Sequence, residues 1–451
     1  MSDLIKIKRG VDIKLVGKAE QLYGNTEQPE TFALKPTDFP GIRVKLSVKE
    51  GDEVKAGTPI LYNKDRKEVK FCSPVSGEIA EIVRGDKRKL LEIRILADKE
   101  IQYQDFGAGD AKTMDREAVK EKLLASGCWP LIRQRPYNIV ANPERTPKAI
   151  FISCFDTAPL AADIDFVVHG QENEFQAGID ALARLTDGKI HLGVDGRTNP
   201  STVFTNCKGV ELHRFRGPHP AGNVGVQIHN IDPINRGDAV WTLNPQDVII
   251  IGRLFLSGKF DANINVAVAG SEVSKPRYTK VVLGTSVKNI LEGNVSQNKN
   301  RYISGNVLTG TRIKPDGYLG FYDRQITVIP EGDQDQFFGW ITPNPNKFSI
   351  SRTLVSWMQP NKKYRLDTAM NGEERAFVVT GEYEKVFPFD IYPVQLLKSI
   401  MIKDIESMEN LGIYEVVEED FALCEVVCTS KIPVQETVRE GLDLMLKELG
   451  D

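Results

Sequence analysis

Residues 44–79 constrain the fold of this chain more than any other stretch. Apolar side chains at Val44, Leu46, Val48, Val54, Ile60 and Leu61 come in short alternating runs. Gly51-Asp52, Gly57 and Ser76-Gly77 break those runs at close intervals. Alternation with a period of two, punctuated this often by turn formers, predicts short strands joined by tight turns. A helix would need apolar residues every three to four positions and no such breaks.

The same stretch resembles the lipoyl/biotinyl carrier domain, a small β-sandwich of two similar halves. Carriers of that type present a lysine on a hairpin turn, where a swinging cofactor is attached. Aligning Asp65-Arg66-Lys67 through Ser73-Pro74 with that pattern puts Arg66 at the carrier position. A guanidinium stays protonated and is a poor nucleophile. The expectation is a carrier-like fold with Arg66 unmodified, although Lys64 and Lys67 flank the turn and keep modification open.

The chain has 451 residues, enough for about three domains of ordinary size. Apolar residues make up 41%, sufficient for real cores. Lys plus Arg is 58 against 62 Asp plus Glu, a net charge of −4, which is no footprint for nucleic acid or an anionic membrane surface. No apolar run approaches the roughly 18 residues a membrane-spanning helix needs, and the start has no signal-peptide pattern. Six cysteines, at 72, 128, 154, 207, 424 and 428, are too sparse for a disulfide framework and point to a reducing compartment.

The chain divides into a β-rich lead-in plus carrier-like sandwich (1–107), a Rossmann-like α/β domain (108–256), a β-grasp module (257–335), a loop-rich connector (336–380) and a helical domain (381–451). The α/β assignment rests on a helix over 115–126 with Gly127 as its stop, a strand at 148–153, a helix over 172–186 ended by Gly188, and a strand at 190–194. Strand, helix, strand at this spacing implies a parallel βαβ unit. Residues 248–251 read as another buried strand, as do 264–268, 281–283 and 326–329. The helical domain rests on apolar faces over 394–405 and 434–449, and 342–346 read as a loop.

Several chemistries have no motif here. Each Gly-Lys pair lacks the Ser or Thr of a phosphate-cradling loop, and no Gly-x-Ser-x-Gly elbow occurs. No Gly-x-Gly-x-x-Gly opens the helix at 172. No Cys-x-x-Cys supplies iron–sulfur or zinc-ribbon spacing. Cys424 and Cys428 could hold half of a metal site, but no second pair completes it, so no metal is expected and the two read as buried small hydrophobes. Cys128 and Cys154 read as core thiols. Trp340, Trp357 and Tyr364 read as core residues or anchors for a partner. The segment richest in chemical character is 215–229. It holds Gly217, Pro218, His219, Pro220, Gly222, Gly225 and His229, a rigid backbone path carrying two imidazoles. It reads either as a loop lining a ligand site or as a packed turn whose histidines bond to the backbone.

Four stretches identify a whole-chain resemblance: 70–77, 217–222, 339–349 and 419–428. In this order they resemble the A-subunit family of the sodium-translocating NADH:quinone oxidoreductases. That family is related to the C-subunit of the Rnf complex and to the flavin-bearing NADH dehydrogenase subunit of complex I. In complex I the flavin is held by a glycine-rich loop. The corresponding place here is Ser126-Gly127-Cys128-Trp129, where one glycine survives and a tryptophan stands where backbone should approach phosphate. The Rnf counterpart's iron–sulfur cysteine clusters are missing. The resemblance therefore implies a chain that binds no cofactor tightly, with flavins and iron–sulfur centres on other subunits. It implies a peripheral subunit on the cytoplasmic side of the bacterial inner membrane, docked on the membrane-embedded B-subunit and contributing to ubiquinone reduction. Gly217, His219, Pro220, Gly222 and His229 are then the candidate quinone residues, because a quinone headgroup needs an apolar slot and donors to its carbonyls. A scaffold without ligand and a freestanding flavin/NADH enzyme are the alternatives.

Overall fold

The computed structural model describes residues 4–24, 29–333, 339, 344–351 and 354–450. Trp340 and positions 342–343 of the expected loop lie outside them. The segment 44–79 forms the expected short strands. Val44–Leu46, Pro59–Asn63 and Lys70–Cys72 make one antiparallel sheet. Glu53–Val54 and Gly77–Arg84 join Leu90–Ala97 and Thr31–Leu34 in a second. Between the sheets lie Ile60, Phe71, Val75, Ile79, Ile93 and Ile95, all essentially inaccessible. Arg66 sits on the turn between Pro59–Asn63 and Lys70–Cys72, where its carbonyl accepts from the Val69 amide at 3.0 Å.

The α/β domain is built on a seven-stranded sheet. Its order is Leu4–Lys6, Glu211–Arg216, Lys189–Asp195, Ala149–Ser153, Val240–Leu243, Arg133–Arg135, Ile139–Val140. The first five run parallel to their neighbours and the last two are antiparallel. Side chains alternate between two cores. Ile150 and Ile152 belong to the core with the helices Glu172–Leu185 and Pro245–Ser257, while Ala149 and Phe151 belong to a second core shared by the helix Val224–Ile231 and the C-terminal helices.

The expected strand at 248–251 is corrected to the middle of the helix Pro245–Ser257. A short run of β-branched residues cannot by itself separate a buried strand from a buried helix. The deciding signal lies upstream. Asn244 and Asp247 form a capping box, with Pro245 at the first helical position. The helix packs closely on Glu172–Leu185 because glycines face each other's backbones. A Cβ at Gly252 would stand 1.7 Å from the Glu174 carbonyl oxygen, and one at Gly178 would stand 2.1 Å from that of Val248. Gly188 also serves close approach. Helix Glu172–Leu185 ends at Thr186, and a Cβ at Gly188 would meet the Lys148 carbonyl oxygen at 1.8 Å.

The strands of the lead-in are shared among three sheets. Leu4–Lys6 edges the α/β sheet, Glu20–Tyr23 edges the β-grasp sheet, and only Thr31–Leu34 joins the sandwich. A single continuous segment thus ties the three domains together. The β-grasp sheet runs Thr311–Ile313, Asn300–Ser304, Gln325–Pro330, Asn263–Ala269, Arg277–Val282, Glu20–Tyr23. At the C-terminus, Val434–Leu449 matches expectation, but 394–405 breaks into Pro393–Met401 and Ile405–Asn410. Lys403 adopts a positive φ of 58° and Asp404 caps the second helix, its side chain accepting from the Ser407 amide.

Candidate functional site

In a doubly wound sheet, ligands bind beyond the carboxyl ends of the strands, where the strand order reverses. Here the chain passes from Ala149–Ser153 to Lys189–Asp195 on one side and returns to Val240–Leu243 on the other. That switch point lies beyond Ser153, and the segment 217–223 packs across it. Two glycines permit that path. A Cβ at Gly217 would lie 2.5 Å from the Ile7 carbonyl oxygen, and one at Gly222 would lie 2.7 Å from the Thr157 amide nitrogen. Ser153 Oγ donates to the Gly222 carbonyl at 2.7 Å and accepts from Gln227 Nε2 at 2.8 Å, which pins both the loop and the helix Val224–Ile231 to the strand end.

His219 is buried in this lid. Its amide donates to Asp12 Oδ1 at 2.9 Å, and its carbonyl accepts from the Val11 amide at 2.9 Å. The bond to Pro220 is cis. Thr157 Oγ1 accepts from the Gly222 amide at 2.9 Å, so its own proton is free to point at His219 Nδ1, 3.1 Å away. Burial holds the imidazole pKa down, at about 4, so the ring is neutral at pH 7. Among the described residues Nε2 makes no hydrogen bond, which leaves that nitrogen without a partner.

His229 is held by other partners. Its Nε2 accepts from the Asp390 amide at 3.3 Å and its Nδ1 pairs with Glu415 Oε2 at 2.8 Å, with Phe389 against the ring. It ties the helix Val224–Ile231 to the C-terminal domain, whereas His219 is tied to the lead-in and Thr157. Pro220 and Gly222 share the lid with His219, and His229 belongs to a different contact.

Residues that the sequence reading missed anchor this region from below. Arg135, 2% exposed at its side chain, donates to Asp420 Oδ2 at 2.9 Å and to Glu419 Oε1 at 3.0 Å. Asp420, fully buried, also accepts from the Val417 amide at 2.9 Å. Gly225 makes room for the pair, since a Cβ there would stand 2.3 Å from Arg135 Nη1 and 2.5 Å from Asp420 Oδ1. The pair joins the antiparallel strand Arg133–Arg135 to the segment 418–421, partners 285 residues apart that no local pattern connects.

The remaining candidates fall as follows. Gly127 ends the helix Arg116–Ser126 at φ 82°, and a Cβ there would press on Cys72 of the sandwich at 2.6 Å. Cys128 is buried, and burial pushes its thiol up to about 12. Trp129 is wholly buried, donates Nε1–H to the Ala141 carbonyl at 2.8 Å, and meets Trp241 edge-on at 5.4 Å. Cys154, Cys424 and Cys428 are buried. Tyr364 is buried and bridges to Leu15, while Trp357 is exposed. The β-grasp sheet carries an open polar cleft of about 630 Å³ lined by Tyr23, Arg277, Tyr278 and Asn294, among others. One constellation was not anticipated. His191, Glu211 and His213, from adjacent strands, bring their donor atoms within 4.8 Å of one another.

Comparison with known proteins agrees with this architecture. Residues 5–98 match the NqrA N-terminal barrel-sandwich hybrid domain, 114–260 the NqrA second alpha/beta domain, and 265–314 the NQRA C-terminal domain. The A-subunit of the Na(+)-translocating NADH-quinone reductase of Neisseria meningitidis serogroup A is 40% identical over 449 residues, covering 99% of this chain and 100% of the relative. The A-subunit of the Vibrio campbellii reductase is 37% identical over 448 residues, again 99% and 100%. The chain belongs to the NqrA family, the A-subunits of the Na(+)-translocating NADH-quinone reductases.

Proposed function

We propose that this chain is the peripheral subunit that serves the quinone end of a sodium-translocating NADH:ubiquinone reductase. It docks on the membrane-embedded B-subunit from the cytoplasmic side. The observation that carries this reading is the lid at 217–223, packed over the carboxyl-end switch point. A neutral imidazole is held there beside Thr157, with its Nε2 uncommitted. In the tautomer protonated at Nε2 it would donate to a quinone carbonyl, which accepts hydrogen bonds and carries no charge to be neutralised. This switch point suits a phosphate-bearing cofactor poorly. Glu419 and Asp156 stand within electrostatic reach of each other, and a helix opened by Asn223 packs against the buried Asp420 carboxylate. Flavins and iron–sulfur centres then belong to other subunits. No helix among the described residues is long and apolar enough to cross a membrane, in keeping with a peripheral place.

The test is titration of the full chain with a short-chain ubiquinone, followed by tryptophan quenching and calorimetry. One-site binding weakened by His219→Ala and retained in His229→Ala supports the reading. A folded chain that binds no quinone refutes it and leaves a scaffold role.

A further inference from the structure

Strands Lys189–Asp195 and Glu211–Arg216 are parallel neighbours, with His191 opposite Glu211 and His213 two residues further along the same face. Gly193 faces His213 and has no side chain to intervene. His191 Nδ1 lies 2.9 Å from His213 Nε2 and 3.7 Å from Glu211 Oε2. Two ligands of a tetrahedral zinc ion, each about 2.0–2.1 Å from the metal, stand roughly 3.3 Å apart. These two separations bracket that value, and all three donor atoms lie within 4.8 Å of one another, close enough to converge on one ion.

We propose that His191, Glu211 and His213 form a three-ligand site for a zinc-class divalent transition metal, with its fourth position open to water. Two imidazoles and one carboxylate favour zinc, copper or nickel over magnesium or calcium, which take oxygen ligands. The surroundings preorganise the set. His191 is buried and stacks on Phe151 at 4.5 Å between centroids. Lys189 Nζ holds Glu211 Oε1 at 2.5 Å, which leaves Oε2 turned toward the histidines. The Glu211 side chain is 43% exposed and supplies the entry path. Without metal, one neutral ring donates its proton to the other across the 2.9 Å contact. On binding, the donor ring shifts that proton to its other nitrogen, so both facing nitrogens become ligands with no net proton release. The site would clasp two strands immediately upstream of the lid at 217–223.

The experiment uses the full chain stripped with a chelator and dialysed. Zn²⁺ is titrated by calorimetry, and Co²⁺ is followed by its visible absorption. A one-to-one isotherm and an intense tetrahedral Co²⁺ spectrum are expected. His213→Gln should weaken both by at least about 100-fold, since losing even an outer-shell partner of a ligand costs about 10–100-fold. The exposed His169→Gln is the control and should bind as wild type. If His213→Gln fails to fold by circular dichroism, Glu211→Gln on the exposed rim serves instead, with a loss of about tenfold or more expected. A folded wild type with no saturable isotherm, or binding retained in these variants, overturns the proposal.

Discussion

Replacing Arg135 by Met should expose how the α/β and helical domains are held together. The guanidinium and the Asp420 carboxylate are both out of water, paired at 2.9 Å. Breaking a buried pair from one side leaves an uncompensated charge and costs about 3–5 kcal/mol. Glu419, 36% exposed, can rehydrate and adds little to that cost. Asp420 keeps only the Val417 amide as a donor. At about 2–4 °C per kcal/mol for domains of this size, the melting point should fall by roughly 6–20 °C. The pH dependence tests the cause. Burial already raises the Asp420 pKa and Arg135 opposes it, so removing Arg135 raises it further. A carboxyl with a raised folded-state pKa contributes stability below its unfolded pKa and loses it as pH rises through the folded value. The deficit of Arg135→Met should therefore be largest near pH 7.5 and shrink toward pH 5, where Asp420 is protonated. Arg135→Met with Asp420→Leu should recover most of the loss, because no charge remains buried. The assay is urea unfolding followed by tryptophan fluorescence at both pH values. A deficit under about 1 kcal/mol, or one that is the same at both pH values, refutes the reasoning.

Other perturbations have equally definite outcomes. Gly252→Ala places a methyl into the Glu174 carbonyl and should destabilise by about 1–3 kcal/mol or more in chemical denaturation, while an alanine at Gly109, whose Cβ would meet only Met114 Sδ at 3.8 Å, should cost far less. Trp129→Ala should cost about 3–5 kcal/mol and blue-side fluorescence, as expected for a fully buried indole; a change under about 1 kcal/mol would mean the ring is not core. His219 has a folded pKa near 4 against about 6.5 unfolded, so its contribution is present above pH 6.5 and is lost as pH falls toward 4. The wild type should lose up to about 3 kcal/mol more than His219→Gln over that window, and parallel curves would contradict a buried neutral ring. The intact mass should equal that of the 451-residue chain, with Arg66, Lys64 and Lys67 unmodified.

Most of the local structure was legible in the sequence. The alternation and turn formers of 44–79 specify strands whichever sheets they join, and Asp115 with Gly127 brackets a helix by capping chemistry that acts over one turn. Likewise, Val434–Leu449 carries its apolar stripe in its own spacing. The run at 248–251 was misread because its apolar pattern fits two structures, and the cap that decides lies four residues away. The lid at 217–223 could be named from its glycines, prolines and imidazoles, but its histidine could not be separated from His229.

What only the tertiary structure decided is which distant groups meet. The sequence determines backbone preferences, because those forces act between residues a few positions apart. It does not show that Arg135 faces Asp420, that Thr157 meets the ring of His219, or that His191 and His213 touch across a strand pair. Nor does it show that one lead-in segment edges three sheets. Those facts depend on sheet order and register, which are set by burying the apolar faces of all the elements at once.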